Sequence, residues 1–377
     1  MQIAVPAERV PGERRVAMVP EVAKRLIDAG HTVLVEAGAG NGAFADDDAY
    51  RARGVEIVDS PAAAFAGTDV VCKVQPPSLE EIAQLPEGIA LVSFFSPGVD
   101  LGVTVALRDR RVTTYSLDLL PRISRAQSMD ALTSQSTVTG YRSVIIAAEA
   151  LPRFFPMFMT AAGTVPPAKV LVLGAGVAGL QAIATARRLG ALVRVNDVRP
   201  AAKEEVESLG ATFVDLELEA QEGAGGYARA QSEEFLARQR DLIATEVAKA
   251  DVVITTAAIP GRRAPTLVTA EMVASMAPGS VIVDLASESG GNCELSVAGE
   301  TVESGGVAIY GARHVASQMA VHASFLYARN IAEFVALLSK EGVYAPDVDD
   351  EIISGTCVMR DGVILHGPTL ELIGGLT

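Results

Sequence analysis

The stretch Val170-Leu-Val-Leu-Gly174-Ala-Gly176-Val-Ala-Gly179 decides the fold. Its apolar run reads as a buried strand, its glycines as a tight turn, and the alanine-rich run to Gly190 as the helix that follows. A Gly-x-Gly-x-x-Gly alone is weak, because glycine is common in loops. Here it joins a strand to a helix, and Asp197 follows about 20 residues on, after a second apolar strand, Leu192–Asn196. Each glycine serves a separate purpose. Gly174 permits the turn, Gly176 admits a pyrophosphate to the backbone, and Gly179 lets helix and strand approach. The helix N-terminus offers free N–H groups and a positive dipole end to phosphates. Asp197 is suited to accept hydrogen bonds from ribose hydroxyls and to repel a 2′-phosphate. Arg199 is able to welcome that phosphate, but the carboxylate at the strand tip favours NAD(H) over NADP(H). Ala175, Val177 and Val198 complete the expected lining of the turn.

Outward from this unit the same rhythm recurs. Strands are expected at Gln2–Pro6, Thr32–Glu36, Asp69–Val74, Ile89–Phe95 and Arg111–Ser116, then at 211–215, 251–256, 280–284 and 306–310. Helical stretches between them imply parallel βαβ units. The helix-spaced segment His322–Lys340 and a strand at Val363–Leu365 return the chain to the domain where it began. The expectation is an α/β protein of two Rossmann-like domains with parallel sheets and a cleft between them. Residues 1–133 plus 322–377 form a discontinuous first domain, and residues 134–321 the nucleotide domain. Ahead of the Lys169 strand, Phe154-Phe-Pro-Met-Phe-Met159 in the Pro152–Pro167 interval reads either as an exposed hairpin that buries its rings against another subunit or as a capped internal corner.

Composition narrows the function. In 377 residues the formal net charge is −15, which argues against a nucleic-acid surface. Cys72, Cys293 and Cys357 are far apart, and His31, His314, His322 and His366 show no ligand spacing, so buried thiols and no metal are expected. The N-terminus has no signal pattern, and the longest apolar run, Val170–Ala186, is interrupted by glycines and polar residues. A soluble chain is expected.

A second chemistry-bearing segment is Pro121-Arg-Ile-Ser-Arg-Ala-Gln-Ser-Met-Asp130. Two guanidiniums, an amide and a carboxylate in ten residues suit a charged ligand, although such clusters are usually solvated salt-bridged loops. The segment follows a predicted strand, at the edge where α/β sheets bind ligands. It precedes a Ser/Thr-rich interval, 133–142, fit to satisfy further polar groups.

With these motifs read, the sequence resembles the NAD(H)-binding subunits of proton-translocating nicotinamide nucleotide transhydrogenases and, less closely, alanine dehydrogenases. The likeness is carried by Pro11-Gly-Glu-Arg-Arg-Val16, the 121–130 segment, Thr160-Ala-Ala-Gly-Thr-Val-Pro-Pro167, Gly174–Ile183 and Gly290-Gly-Asn-Cys293. The resemblance implies that NADH passes hydride directly to NADP⁺ on an NADP(H)-binding partner subunit, coupled to proton translocation through a membrane-embedded subunit. Catalytic roles then fall on Arg122 near the ring and phosphates, on Gln127 toward the partner nucleotide's ribose, and on Asp130, fixing the carboxamide or Arg122. Ile123, Ser124, Arg125, Thr133, Gln239 and Ala258 join the expected cofactor-binding residues, as do Gly226 and Tyr227 of a Gly-rich closing loop. A homodimer at the inner, cytoplasmic face of the membrane, attached through its partners, is expected. The chain ends at Thr377 with no hydrophobic span after it, which resembles the split form of the enzyme.

Two other readings compete. An alanine dehydrogenase needs a catalytic His, but the corresponding region reads Leu91-Val-Ser-Phe-Phe-Ser-Pro97, and Glu288 replaces an expected Asp. Lys73, at a strand end, reads as a snorkelling residue or a catalytic lysine. A non-catalytic NAD-responsive binding module would bind NADH without hydride exchange.

Overall fold

The computed structural model describes residues 1–214, 233–258 and 263–374, with backbone alone for 233–237. The chain divides into two compact units, residues 1–135 with 316–377 and residues 136–315.

The first unit is built on an eight-stranded sheet. Its order is Val363–Ile364, Cys357–Arg360, Thr113–Ser116, Ala90–Ser93, Val70–Cys72, Gln2–Val5, Thr32–Glu36, Glu56–Val58. The last six of these pair in parallel; the first two add antiparallel at one edge. Alternation along each strand feeds two layers. Ile3 and Val5 pack into a core with the helix Ala320–Leu337, whereas Ala4 packs into a separate core with Phe65, Ile82 and Leu107. A parallel sheet needs both faces covered, and this one has them covered.

The second unit carries a seven-stranded sheet in the order Thr212–Phe213, Leu192–Asn196, Lys169–Leu173, Val252–Thr255, Val281–Asp284, Val307–Gly311, Thr301–Ser304. Only the last strand is antiparallel. Val170 and Val172 enter one core, and Leu171 and Leu173 the other. In both units the parallel strands, numbered along their own unit, run 3-2-1-4-5-6, the doubly wound order. The order reverses beside Gln2–Val5 in one unit and beside Lys169–Leu173 in the other, and ligands bind at such reversals.

Several expectations are revised. The Ser/Thr-rich interval, read from sequence only as a source of polar groups, lies at the start of a twenty-residue helix, Ala131–Ala150. Ser134 bonds the Ala131 carbonyl within that helix and also Asn330 of the helix Ala320–Leu337. The aromatic interval forms an exposed hairpin, Phe158–Thr160 with Gly163–Val165, and not an internal corner. Lys73 does not snorkel: it is 1% exposed, and its ammonium lies 2.8 Å from Glu81 and 3.4 Å from Glu8. A strand-end lysine is drawn inward when two buried carboxylates wait for it. All three cysteines are buried and free, with burial holding the Cys72 thiol up at about 12.

Candidate functional site

The glycine turn sits at the strand-order reversal of the second unit, and its three glycines differ as their roles require. Gly174 has φ +101°, and a Cβ there would lie 2.6 Å from the Thr256 hydroxyl. A Cβ on Gly179 would meet the Gly174 carbonyl at 2.0 Å. Around Gly176 nothing lies within 4 Å, so its backbone stays open to an incoming group. Gly176 also caps the helix Val177–Arg188 without any side-chain bond to the first N–H groups. Those donors and the dipole end suit an anion. Thr256 bonds the Gly174 carbonyl at 3.0 Å and so ties the neighbouring strand end to the turn.

Asp197 stands just beyond Asn196. Its carboxylate accepts the Ala175 N–H at 2.6 Å, the Arg199 N–H at 2.8 Å, and the Arg199 guanidinium at 3.0 and 3.1 Å. Turn, acid and arginine are thereby fixed together, with Val198 half-buried between the last two. Gln239 is buried and reaches Asn196 at 3.4 Å, one residue from Asp197. Ala258 is exposed at the end of the Thr256–Ala258 segment. Asn292, quoted above within Gly290–Cys293 but given no role there, holds that segment: it accepts the Ala257 N–H and donates to the Ala257 and Pro265 carbonyls at 2.8–3.0 Å. No local pattern marks an asparagine that acts across 35 residues. Gly226 and Tyr227, with the rest of the Gly-rich stretch, lie outside the described residues.

In the first unit the segment after Thr113–Ser116 forms a 3₁₀ turn, Ser124–Met129. Ala126 and Met129 are buried in the core, and Ile123 packs against it. This anchoring leaves Arg122, Ser124, Arg125 and Gln127 exposed. Arg125 makes a two-pronged pair with Asp350, at 2.6 and 2.9 Å. Asp130 has a structural duty as well: its two carboxylate oxygens take the Thr133 N–H (2.8 Å) and hydroxyl (2.6 Å) at the start of the helix Ala131–Ala150. This is a helix N-cap, a feature the sequence reading of Asp130 did not include.

Behind the segment lies a buried polar cluster. Glu13 receives Arg15 at 2.8 and 2.7 Å and Gln75 at 2.8 Å, and bonds Ser317. Burial alone would raise its carboxyl, but those donors and the Arg15 charge outweigh burial and hold it at about 2. Burial instead prevails at Glu8, which is raised despite Lys73 and the Val74 N–H.

A glycine turn at a strand reversal, followed by an acid fixed to the turn, is an arrangement for a dinucleotide. The comparisons with known proteins agree. A family model described as the alanine dehydrogenase/PNT N-terminal domain matches residues 4–139, and one described as the C-terminal domain matches residues 143–367. The chain belongs to the alanine dehydrogenase/PNT family. The first portion of NAD(P) transhydrogenase subunit alpha from Rhodospirillum rubrum is 51% identical over 97% of this chain and 98% of its own length. The solved structure of transhydrogenase from Sinorhizobium meliloti superposes with a TM-score of 0.88 at 45% identity, covering 97% of this chain and 100% of that one. Alanine dehydrogenase of Staphylococcus epidermidis is 32% identical over 78% of this chain and 75% of its own. Within the alanine dehydrogenase/PNT family, the transhydrogenase alpha subunits therefore share much more of this sequence than the dehydrogenases do. No helix among the described residues is long and apolar enough to cross a membrane.

Proposed function

We propose that this chain is the NAD(H)-binding component of a proton-translocating NAD(P) transhydrogenase, active only with its partner subunits. The observation that carries the reading is the open Gly176 backbone at the N-terminus of a helix without a side-chain cap, with Asp197 bonded to the same turn. The helix N–H groups take the pyrophosphate, and Asp197 takes the adenosine ribose, with Ala175, Val177, Gly179, Val198, Arg199, Gln239 and Ala258 lining the nucleotide. NADH supplies a hydride to NADP⁺ on the partner subunit, giving NAD⁺ and NADPH. The chain's own contribution is orientation, since direct transfer needs two rings held close and aligned. Arg122, Gln127 and Asp130 perform it, supported by Ile123, Ser124, Arg125 and Thr133. No group on this chain has to carry a proton for the transfer itself.

The partners are the NADP(H)-binding subunit and a membrane-embedded subunit through which proton movement is coupled. The chain is peripheral to the cytoplasmic face through those partners. A homodimer fits the hairpin, where Phe154, Met157, Phe158, Met159 and Val165 are all exposed. Alanine dehydrogenase activity is disfavoured by the engagement of Lys73 with Glu81 and Glu8, and of Arg15 with Glu13. These cations are already neutralised and not free to receive a substrate carboxylate.

The test is titration with NADH, NADPH and alanine separately, followed by addition of the NADP(H)-binding subunit. The expected result is tight NADH binding, weak NADPH binding, no NADH formed from alanine and NAD⁺, and hydride exchange only with the partner present. Turnover of alanine would overturn the reading, and NADH binding without exchange would reduce the chain to a nucleotide-responsive module.

A further inference from the structure

We propose that Asn330 is a positioning residue for hydride exchange, setting the orientation of the 122–130 segment through Ser128 and Ser134. This rests on the role given above to Arg122, Gln127 and Asp130.

Asn330 lies on the helix Ala320–Leu337 and is 8% exposed. A buried amide is costly unless both of its ends are paired. Here both are. Its Nδ2 donates to the Ser128 carbonyl at 2.8 Å, and its Oδ1 accepts the Ser134 hydroxyl at 2.7 Å. Ser128 follows Gln127, and Ser134 lies in the first turn of the helix that Asp130 caps. One side chain thus grips the chain within the 122–130 segment, at Ser128, and just beyond it, at Ser134.

The apolar anchors of this interval cannot do the same work. Ala126 and Met129 hold the turn by apolar burial, which is non-directional. Such burial fixes where the turn sits but not how the peptide after Ser128 is rotated. A hydrogen bond to the Ser128 carbonyl fixes the Ser128–Met129 peptide and, together with the Asp130 N–H that bonds the Gln127 carbonyl at 3.3 Å, holds the backbone from which Gln127 projects. The bond is braced from behind. Gln135 donates to the Ser134 hydroxyl at 3.2 Å and to the Ala323 carbonyl at 3.0 Å, and accepts Arg15 at 2.9 Å. Arg15 in turn is clamped by Glu13. The Glu13-Arg14-Arg15 motif, which nucleotide binding leaves unexplained, becomes the far end of a buried frame behind the segment. Networks of this kind hold a unique arrangement only while every member is satisfied.

The discriminating variant is Asn330→Asp in the full chain. It keeps the shape and the acceptor for Ser134 but removes the N–H donated to Ser128. At pH 8 the exchange rate with the NADP(H)-binding subunit is expected to fall about tenfold or more, because small misplacements are costly to aligned transfer. NADH affinity is expected to stay within about twofold. Burial raises the pKa of the new carboxyl, and when protonated it presents an O–H to the Ser128 carbonyl. The deficit relative to the parent is therefore expected to narrow as pH is lowered toward 6, which a merely structural defect would not do. A deficit below twofold, or one independent of pH, overturns the proposal. Should this variant fail to fold, Ser134→Ala decides instead: about threefold slower exchange at parental NADH affinity supports the proposal, and an unchanged rate overturns it. Gln127→Ala is measured alongside. If it slows exchange while the frame variants do not, the Asn330 role alone fails; if it too exchanges at the parental rate, the reading of the whole segment fails and this proposal with it.

Discussion

The carboxylate of Asp197 accepts the backbone N–H of Ala175 at 2.6 Å, so the acid at the tip of one strand is bonded to the glycine turn at the tip of its neighbour. The same carboxylate holds the Arg199 guanidinium. While that pair persists, the arginine is occupied by a negative partner on its own chain.

Replacing Asp197 by Ser therefore does two things at once: it removes the repulsion toward a 2′-phosphate and takes one negative partner away from Arg199. The NADH-over-NADPH affinity ratio is expected to fall about tenfold, read by fluorescence titration with each nucleotide. An unchanged ratio would remove Asp197 from the account of specificity.

The glycines separate binding from folding. Gly176 has open space where a Cβ would go and an ordinary extended backbone, so Gly176→Ala is expected to fold at parental stability while NADH binding weakens about tenfold or more. Gly179→Ala drives a methyl to 2.0 Å from the Gly174 carbonyl and is expected to cost about 2 kcal/mol or more in urea unfolding. Equal effects of the two on stability would contradict this division.

At the 122–130 segment, Gln127→Ala is expected to slow exchange about tenfold with NADH affinity nearly spared. Asp130→Asn retains an oxygen to accept the Thr133 N–H, so it is expected to slow exchange while leaving the helix cap largely intact. Asp130→Ala should add about 1 kcal/mol of instability. Stopped-flow exchange and thermal melting of the three variants measure both effects. Parental exchange in both Gln127→Ala and Asp130→Asn would dismiss the proposed roles.

Glu13 gives an acid-side prediction. Its folded value of about 2 lies below its ordinary 4.5, so the folded state binds its proton less readily than the unfolded chain does. The resulting stabilisation is complete above the unfolded value and is lost as pH falls from about 4.5 toward 2. Glu13→Gln should lose less stability than the parent between pH 5 and pH 3, as followed by urea midpoints. Glu8 works in the opposite sense: its raised carboxyl contributes below the unfolded value, and that contribution is lost as pH rises through the folded one. Parallel curves for parent and Glu13→Gln would show that the Arg15 pair contributes nothing to acid stability.

The hairpin makes association testable. Changing Phe158 and Met159 to Ser removes exposed apolar area from its first strand, and the protein is expected to shift from dimer toward monomer in sedimentation at micromolar concentration. Melting of the monomer should be little changed, since both side chains are already solvent-exposed. A parental sedimentation profile would send the dimer contact elsewhere.

Local signals were strong wherever local chemistry is decisive. The Lys169–Leu173 strand, the turn and the following helix are set by apolar period and by backbone freedom at Gly174, which neighbouring residues impose within a few positions. The Arg122–Asp130 cluster was likewise visible as polar side chains crowded beside a proline, although its composition alone fits a solvated salt-bridged loop as well. The helix Ala131–Ala150 was not, since Ser and Thr compete with the helical backbone in isolation and only packing decides for them. Long-range partners were invisible for a different reason. That Lys73 meets Glu8 and Glu81, that Asn330 grips Ser128, and that Asn292 holds Ala257 depends on which segments the sheets bring together. The sequence by itself determined the winding of each unit and the chemistry of the nucleotide turn; only the tertiary structure decided which buried polar groups satisfy one another, because burial leaves each of them a partner drawn from distant chain.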